Sequence, residues 1–484
     1  MSKKTPDFVS TTNACKLCRP LGAVLAFRGV AGAVPYLHGS QGCATYMRRY
    51  IISHFNEPID IASSSLGEKN AIYGGGANLK MGLKNVTAKY RPELIGIATT
   101  CLTETIGDDL HQLLGEYRRE FLAGDQSDPL LVRVSTPSYA GSHMEGFHGA
   151  VRALVEQLVD ADAAEAGLAT DKEQAGPVIN LLPGLVSPAD LRLLKEIMAE
   201  FQLSATILPD ISETLDGPAL DDYPLIPQGG TEICAIRRMG RAEASIEFGR
   251  TLPEPLSAAG WLASKHGVEC HRLGLPLGLR ETDRFLALLA DLTNTGPLAA
   301  GARLRDSQLR DSRSSLPPFQ AAARGRLLDA MVDGHKYLAG KQAVVYGEED
   351  LVVGLVSLLA ECGVRTVLCA SGGKSGKLAA AVKEVAADLL PELPEVEEDC
   401  DFFDIAARAR QLKPDLLIGH SKGYSLAREL GIPLIRVGFP IHDRLGGQRI
   451  LHLGYQGAQQ LFDTIVNTVI ARKQDDSPVG YSYM

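Results

Sequence analysis

The sequence predicts an α/β protein built on several parallel sheets. Three observations carry that prediction. The chain has 484 residues, enough for about three domains at roughly 100–200 residues each. Its composition, 45% hydrophobic and 22% charged, is that of an ordinary globular protein and excludes disordered, collagenous and fibrous classes. From residue 90 onward, short apolar runs alternate with segments of helical spacing, the pattern of βαβ units.

Leu94-Ile95-Gly96-Ile97-Ala98 is an uninterrupted apolar run, as expected of a parallel strand covered on both faces. Thr100-Cys101 closes it, and a helix follows. Val178 to Leu182 is a second strand, and Pro183-Gly184 turns the chain toward Ser187-Pro188, an N-cap with proline at the first helical position. Leu191, Leu194, Met198 and Phe201 keep helical spacing, and Ala205 to Leu208 returns as a strand. The same order recurs from Ala343 to Gly347, through a helix to Glu361, and then at Thr366 to Cys369. It recurs again from Asp415 to Gly419, a short helix, and Leu434 to Val437. Residues 159–177 and the arginine-rich stretch 301–326 read as linkers, and the seven acidic side chains of residues 392–404 as a solvated face.

No apolar run approaches the roughly 18 residues that cross a bilayer. Lys3 and Lys4 are not followed by the apolar core of a signal peptide. The expectation is a cytoplasmic protein with no membrane partner. A net charge of -9, one Trp and 6% aromatic residues argue against a nucleic-acid partner. Ser371 to Lys377 (SGGKSGK) fails the phosphate-loop spacing because Leu368 stands where the first glycine is required. A glycine-rich turn is expected there, and no nucleotide on this chain. Neither G-x-S-x-G nor H-E-x-x-H occurs, so no hydrolase signature is present.

The nine cysteines are more informative, because four fall between residues 15 and 101. An odd count in a reducing compartment does not suggest a disulfide framework. Cys18 sits in CKLCRPLG and Cys43 ends HGSQGC. Cys101 stands at the carboxyl end of a predicted strand, where open α/β sheets place ligands. Flanking glycines let backbone N–H groups approach a bound group, and thiolates are the preferred ligands of iron–sulfur clusters. On spacing alone, Cys15 and Cys18 fit a buried C-x-x-C pair, half of a zinc site or cluster ligation. The second C-x-x-C of a zinc ribbon is absent.

Six ordered blocks then carry a resemblance. They are NACKLCRPLG (13–22), HGSQGC (38–43), TTCLTETIGDD (99–109), TPSYAGSH (136–143), RGRLLDAMVDGH (324–335) and RVGFPIHDR (436–444). Together they resemble the β-type subunit of nitrogenase component 1. The resemblance implies three Rossmann-like domains with mainly parallel sheets. The corresponding division is a loose segment 1–12, a cysteine-bearing domain 13–175, a second domain 176–300, a connector and helix 301–335, a third domain 336–472 and a tail 473–484.

It also implies an α-type partner in an α2β2 tetramer, and a bridging [8Fe-7S]-type P-cluster ligated from this side by Cys18, Cys43 and Cys101. Ser138 matches the serine that can ligate the oxidised cluster. Three thiolates do not complete a four-cysteine site, which agrees with a shared cluster. Cys15 is either a fourth ligand or a packed thiol. An ATP-dependent iron protein is implied as reductant, docking near Ile106, with Asp108 and Asp109 as a polar rim. Tyr46 matches a tyrosine between the two clusters of the family. Glu57, Asp329 and Asp333 match an intersubunit Fe or Ca site, and the two aspartates share a helical face at i,i+4. The active-site cofactor belongs to the partner, so no residue here is catalytic.

Some features depart from the commonest nitrogenase β-subunits. The long N-terminal extension is missing, Met47 replaces a frequent Phe, and Asn56 a frequent Arg. HDRLGGQRILHLGY and the ending GYSYM resemble instead the scaffold subunit of cofactor assembly, which would hold a [4Fe-4S] cluster. The better-known scaffolds keep only the cysteine matching Cys43, whereas this chain has all three. The mixture fits methylthio-alkane reductase, a nitrogenase-like enzyme of C–S cleavage, slightly ahead of nitrogenase proper.

Overall fold

Each apolar run named above is a strand in the computed structural model, which describes residues 14–122, 128–159, 178–294 and 316–480. The predicted segment 1–12, nearly all of the linker 159–177, the arginine-rich stretch up to residue 315 and the last four residues of the tail lie outside the described residues. The strands form three sheets in which every paired strand runs parallel.

The first sheet contains β1 (Ala33–His38), β2 (Ala62–Ser63), β3 (Leu94–Thr99) and β4 (Leu130–Val134), in the order β2-β1-β3-β4. The second contains β5 (Val178–Leu182), β6 (Ser204–Ile207), β7 (Ala244–Phe248) and β8 (Glu269–Leu273), in the order β6-β5-β7-β8. The third contains β9 (Gln342–Gly347), β10 (Arg365–Ser371), β11 (Glu395–Glu397), β12 (Leu416–Gly419) and β13 (Leu434–Arg436). Its order, β11-β10-β9-β12-β13, is that of a doubly wound sheet, with the order reversing between β9 and β12.

Helices cover the sheets, so β1, β3 and β7 are buried at every residue. One apolar core runs through all three units and includes Leu37, Leu181 and Val345. Ser187 opens the helix Pro188–Glu200 as expected, and its hydroxyl accepts from the Asp190 N–H while the Asp190 carboxylate accepts from the Ser187 N–H. That carboxylate also locks the second unit to the third. It accepts from the backbone N–H groups of His452 and Leu453 at 2.7 and 2.9 Å and from His452 Nδ1 at 2.9 Å. Burial pushes the Asp190 carboxyl up, but His452 and these hydrogen bonds outweigh it and hold the group below its ordinary range.

Two expectations change. The acidic run 392–404 is structural rather than merely solvated. Glu395 to Glu397 form β11, Glu398 accepts from the Gly376 and Leu378 N–H groups, and Asp401 caps the helix Phe402–Leu412. β1 falls before residue 90, in a stretch with no clean apolar run, and it holds Pro35 inside a central strand. The pairing explains the tolerance: β2 meets only Tyr36 and Leu37, so the edge beside Pro35 has no ladder to break. No helix among the described residues is long and apolar enough to cross a membrane.

Candidate metal centre

The carboxyl ends of the first sheet build the site. β1 leads through His38 to Ser40, which precedes the helix Gln41–Phe55 with Cys43 in its first turn. β3 leads to Cys101, the first residue of the short helix Cys101–Ile106. β4 leads to the loop of Ser138. Cys18 approaches from outside the sheet, as the residue preceding the helix Arg19–Arg28 with Pro20 in that helix's first turn. Cys18 and Cys43 thus lie where unpaired N–H groups and the helix dipole favour an anionic sulfur.

The loops are fastened to one another. The His38 carbonyl accepts from the Thr100 N–H at 3.1 Å and from Thr103 Oγ1 at 2.9 Å. A Cβ on Gly39 would stand 2.1 Å from Thr100 Oγ1, so only glycine lets these two loops meet. The Ser138 N–H donates to Cys101 Sγ at 3.3 Å, and the Ser138 hydroxyl bonds the Cys18 thiol. Ser40 Oγ lies 3.5 Å from Cys43 Sγ. Desolvation by the surrounding protein pushes the Cys18 thiol up even though the residue reaches the surface; Ser138 pulls it down, while Cys101 and Cys43, close enough to be felt as charges, push it up again.

A close helix crossing fixes the approach of Cys18. A Cβ on Gly22 would stand 1.7 Å from the His143 carbonyl oxygen, and one on Gly146 1.8 Å from that of Arg19. These glycines let the helices Arg19–Arg28 and His143–Leu158 touch backbone to backbone. His143 completes the join: its N–H donates to the Leu17 carbonyl at 3.0 Å, and its Nδ1 accepts from the Leu17 N–H at 3.4 Å.

The four predicted cluster residues therefore converge. Cys18 is exposed, and Cys43 and Cys101 are half-buried, so the sulfurs open toward one side of the chain. Among the described residues no three His, Cys, Asp or Glu side chains are grouped to hold a metal ion by themselves. Three thiols and a hydroxyl, open on one side, fit a thiolate-bound cluster that takes its remaining ligands from another chain.

The other predicted residues are placed differently. Tyr46 lies one turn beyond Cys43 on the same helix and is 66% exposed. Ile106 is half-buried at the end of its helix, not fully exposed. Its expected polar rim is engaged elsewhere: Asp108 accepts from the Gly75 N–H and lies 3.0 Å from His38 Nε2, and Asp109 caps the helix Leu110–Phe121. Cys15 does not join the thiols; it is buried against His420, 3.7 Å from its Nε2. Asp329 and Asp333 stand exposed on the helix Pro318–Leu338. Glu57 accepts from the Gly217 N–H near Arg28 and Asp216, and burial followed by the Asp216 charge pushes its carboxyl up. His143, Lys422 and Glu104 were not singled out from the sequence. Glu104 accepts from Thr99 and Ser135 at 2.5 Å each, joining the Cys101 helix to the Ser138 loop; no local motif marks such a role.

Comparison with known proteins identifies the family. The family model described as nitrogenase component 1 type oxidoreductase matches residues 18–470. The nitrogenase molybdenum-iron protein beta chain of Clostridium pasteurianum is 32% identical over 458 residues, covering 95% of this chain and 93% of that one. That of Azotobacter vinelandii is 32% identical over 480 residues, covering 96% and 86%. A solved chain described as nitrogenase Cp1 at pH 6.5 superposes with a TM-score of 0.86 at 30% identity, over 100% of this chain and 98% of that one. Matched over nearly its whole length, the chain belongs to the nitrogenase component 1 type oxidoreductases, as a β-type member.

Proposed function

We propose that the chain is the electron-relaying subunit of a nitrogenase-like reductase, holding half of a bridging P-type iron–sulfur cluster against an α-type partner. The observation that carries this reading is the convergence of Cys18, Cys43, Cys101 and Ser138 on one open face. When bound, such a cluster accepts and passes on single electrons at low potential. The chain's own residues do the rest. Cys18, Cys43 and Cys101 supply anionic sulfur, and Ser138 supplies an oxygen beside Cys101 and Cys18. Tyr46, exposed one turn beyond Cys43, would be covered by the partner. The helix Cys101–Ile106 links the cluster to the surface at Ile106, where an ATP-dependent iron protein would dock. Glu57, Asp329 and Asp333 lie apart and would hold an Fe or Ca ion only across an interface between chains. In the α2β2 assembly the substrate-reducing cofactor sits on the partner, and the substrate class is methylthio-alkanes, cleaved at C–S, or dinitrogen.

Three gathered thiols favour this reading over a cofactor-assembly scaffold, which needs fewer ligands. Anaerobic co-purification with the α-type partner tests it by iron count and EPR under dithionite. An iron content above one four-iron cluster per αβ pair, without a strong S = 1/2 cubane signal, is the expected result. A four-iron content with that signal would instead identify a scaffold. Turnover with the iron protein and ATP then separates methylthio-alkane from dinitrogen reduction.

A further inference from the structure

The ligand crevice of a doubly wound sheet lies at the carboxyl ends of its strands, where the strand order reverses. In the third sheet that place is taken by the chain's own residues 14–17. Ala14 makes an antiparallel bridge with Asp401, beyond β11. Lys16 Nζ donates to Asp399 at 2.9 Å. The Cys15 backbone presses on Gly372, after β10, where a Cβ would lie 2.6 Å from the Cys15 carbonyl. The Cys15 side chain packs with Tyr346 of β9 and with Cys400 and Phe402, and meets His420 just after β12.

Lys422 closes the clamp. Its Nζ donates to the Ala14 carbonyl at 2.8 Å and to the Lys16 carbonyl at 3.1 Å, straddling Cys15. Its ammonium is a charged donor to both carbonyls, and charge-assisted hydrogen bonds are the stronger kind. The next residues along the strap are Leu17, held by His143, and Cys18. The strap is thus fastened at both ends of a four-residue span, and the thiol follows directly.

We propose that the crevice of the third unit serves as a clamp on residues 14–17, with Lys422 as the positioning residue that sets where Cys18 stands. The proposal deepens the cluster reading and gives Cys15 a role as packing within the strap rather than as a ligand. Loss of the two Lys422 hydrogen bonds raises the opening of the strap by about tenfold or more.

The test uses the complex with the α-type partner, purified without oxygen, and two readouts. Hydrogen exchange of the amides of residues 15–17 reports the clamp, and the rate at which a chelator removes iron from the complex reports the seat of Cys18. Lys422→Met is expected to speed both by about tenfold or more, with exchange in the helices Gln41–Phe55 and Cys101–Ile106 unchanged. Lys422→Arg, which keeps charge and donors, restores both. Unchanged exchange or unchanged iron loss in Lys422→Met overturns the proposal. If that variant does not assemble, Cys15→Ala, which removes only the packed thiol, must speed the same exchange by a smaller factor; no change there overturns the proposal equally. A wild-type complex that lacks iron defeats the cluster reading, while exchange still decides the clamp.

Discussion

The helix Gln41–Phe55 carries a candidate ligand in its first turn and another just beyond its end, and the two regions differ sharply. At Cys43 the chain gathers three thiols and a serine from four separate segments and fastens them with backbone hydrogen bonds. At Glu57 it gathers nothing comparable: the carboxylate faces Asp216 and Arg28, and its proposed co-ligands stand exposed on another helix. The difference teaches that one chain can gather candidate ligands by itself when most of them sit at strand ends of one sheet. A site whose ligands share no sheet waits for a second chain.

The largest effect that would break this comparison is at the thiols. Cys101→Ala is expected to remove the bridging iron and reductase activity together, measured as iron per αβ pair and turnover; retained iron would reject Cys101 as a ligand. Next comes the helix crossing that aims Cys18. Gly146→Ala places a methyl group against the Arg19 carbonyl, and neither backbone can yield locally. A loss of about 3 kcal/mol in urea unfolding is expected, and an ordinary midpoint would show that the helices can part.

A smaller effect lies at the other end of the helix. His54 Nδ1 accepts from the Ile441 N–H at 2.9 Å, and burial pushes its pKa down to about 3. The unfolded chain takes up this proton below about 6.5, whereas the fold excludes it. Its contribution is complete above that pH and is lost as pH falls toward 3. Over that window His54→Gln should lower the slope of stability against pH by about 1.4 kcal/mol per unit. The smallest effect belongs to the carboxylates. Asp329→Asn combined with Asp333→Asn should leave the cluster iron unchanged and alter thermal stability by no more than about 0.5 kcal/mol, the relief of one like-charged i,i+4 pair. A larger loss would mean that these side chains already hold a partner or an ion.

How much of this was legible in the sequence depends on burial. Strands covered on both faces, such as Leu94–Thr99 and Gln342–Gly347, announced themselves as apolar runs. Two of the edge strands did not. β8 pairs only with β7 and carries Glu269, His271 and Arg272, while β11 lies inside an acidic run. β1 was hidden by Pro35 and His38. Among the site residues, the cysteines and Ser138 were legible through their motifs. Lys422 was not, because its partners are carbonyls more than four hundred positions away, and a carbonyl has no sequence signature.

That separation has a consequence for when the site can exist. Cys15 and His420 are 405 positions apart, and a ribosome adding about 5–20 residues per second needs roughly 20–80 s to pass from one to the other. Throughout that interval Cys18, Cys43 and Cys101 are already made, yet the first of them lacks the surface that holds it. If these three thiols take up iron together, they would meet it in their finished places only late in synthesis or after release, once the last third of the chain has folded.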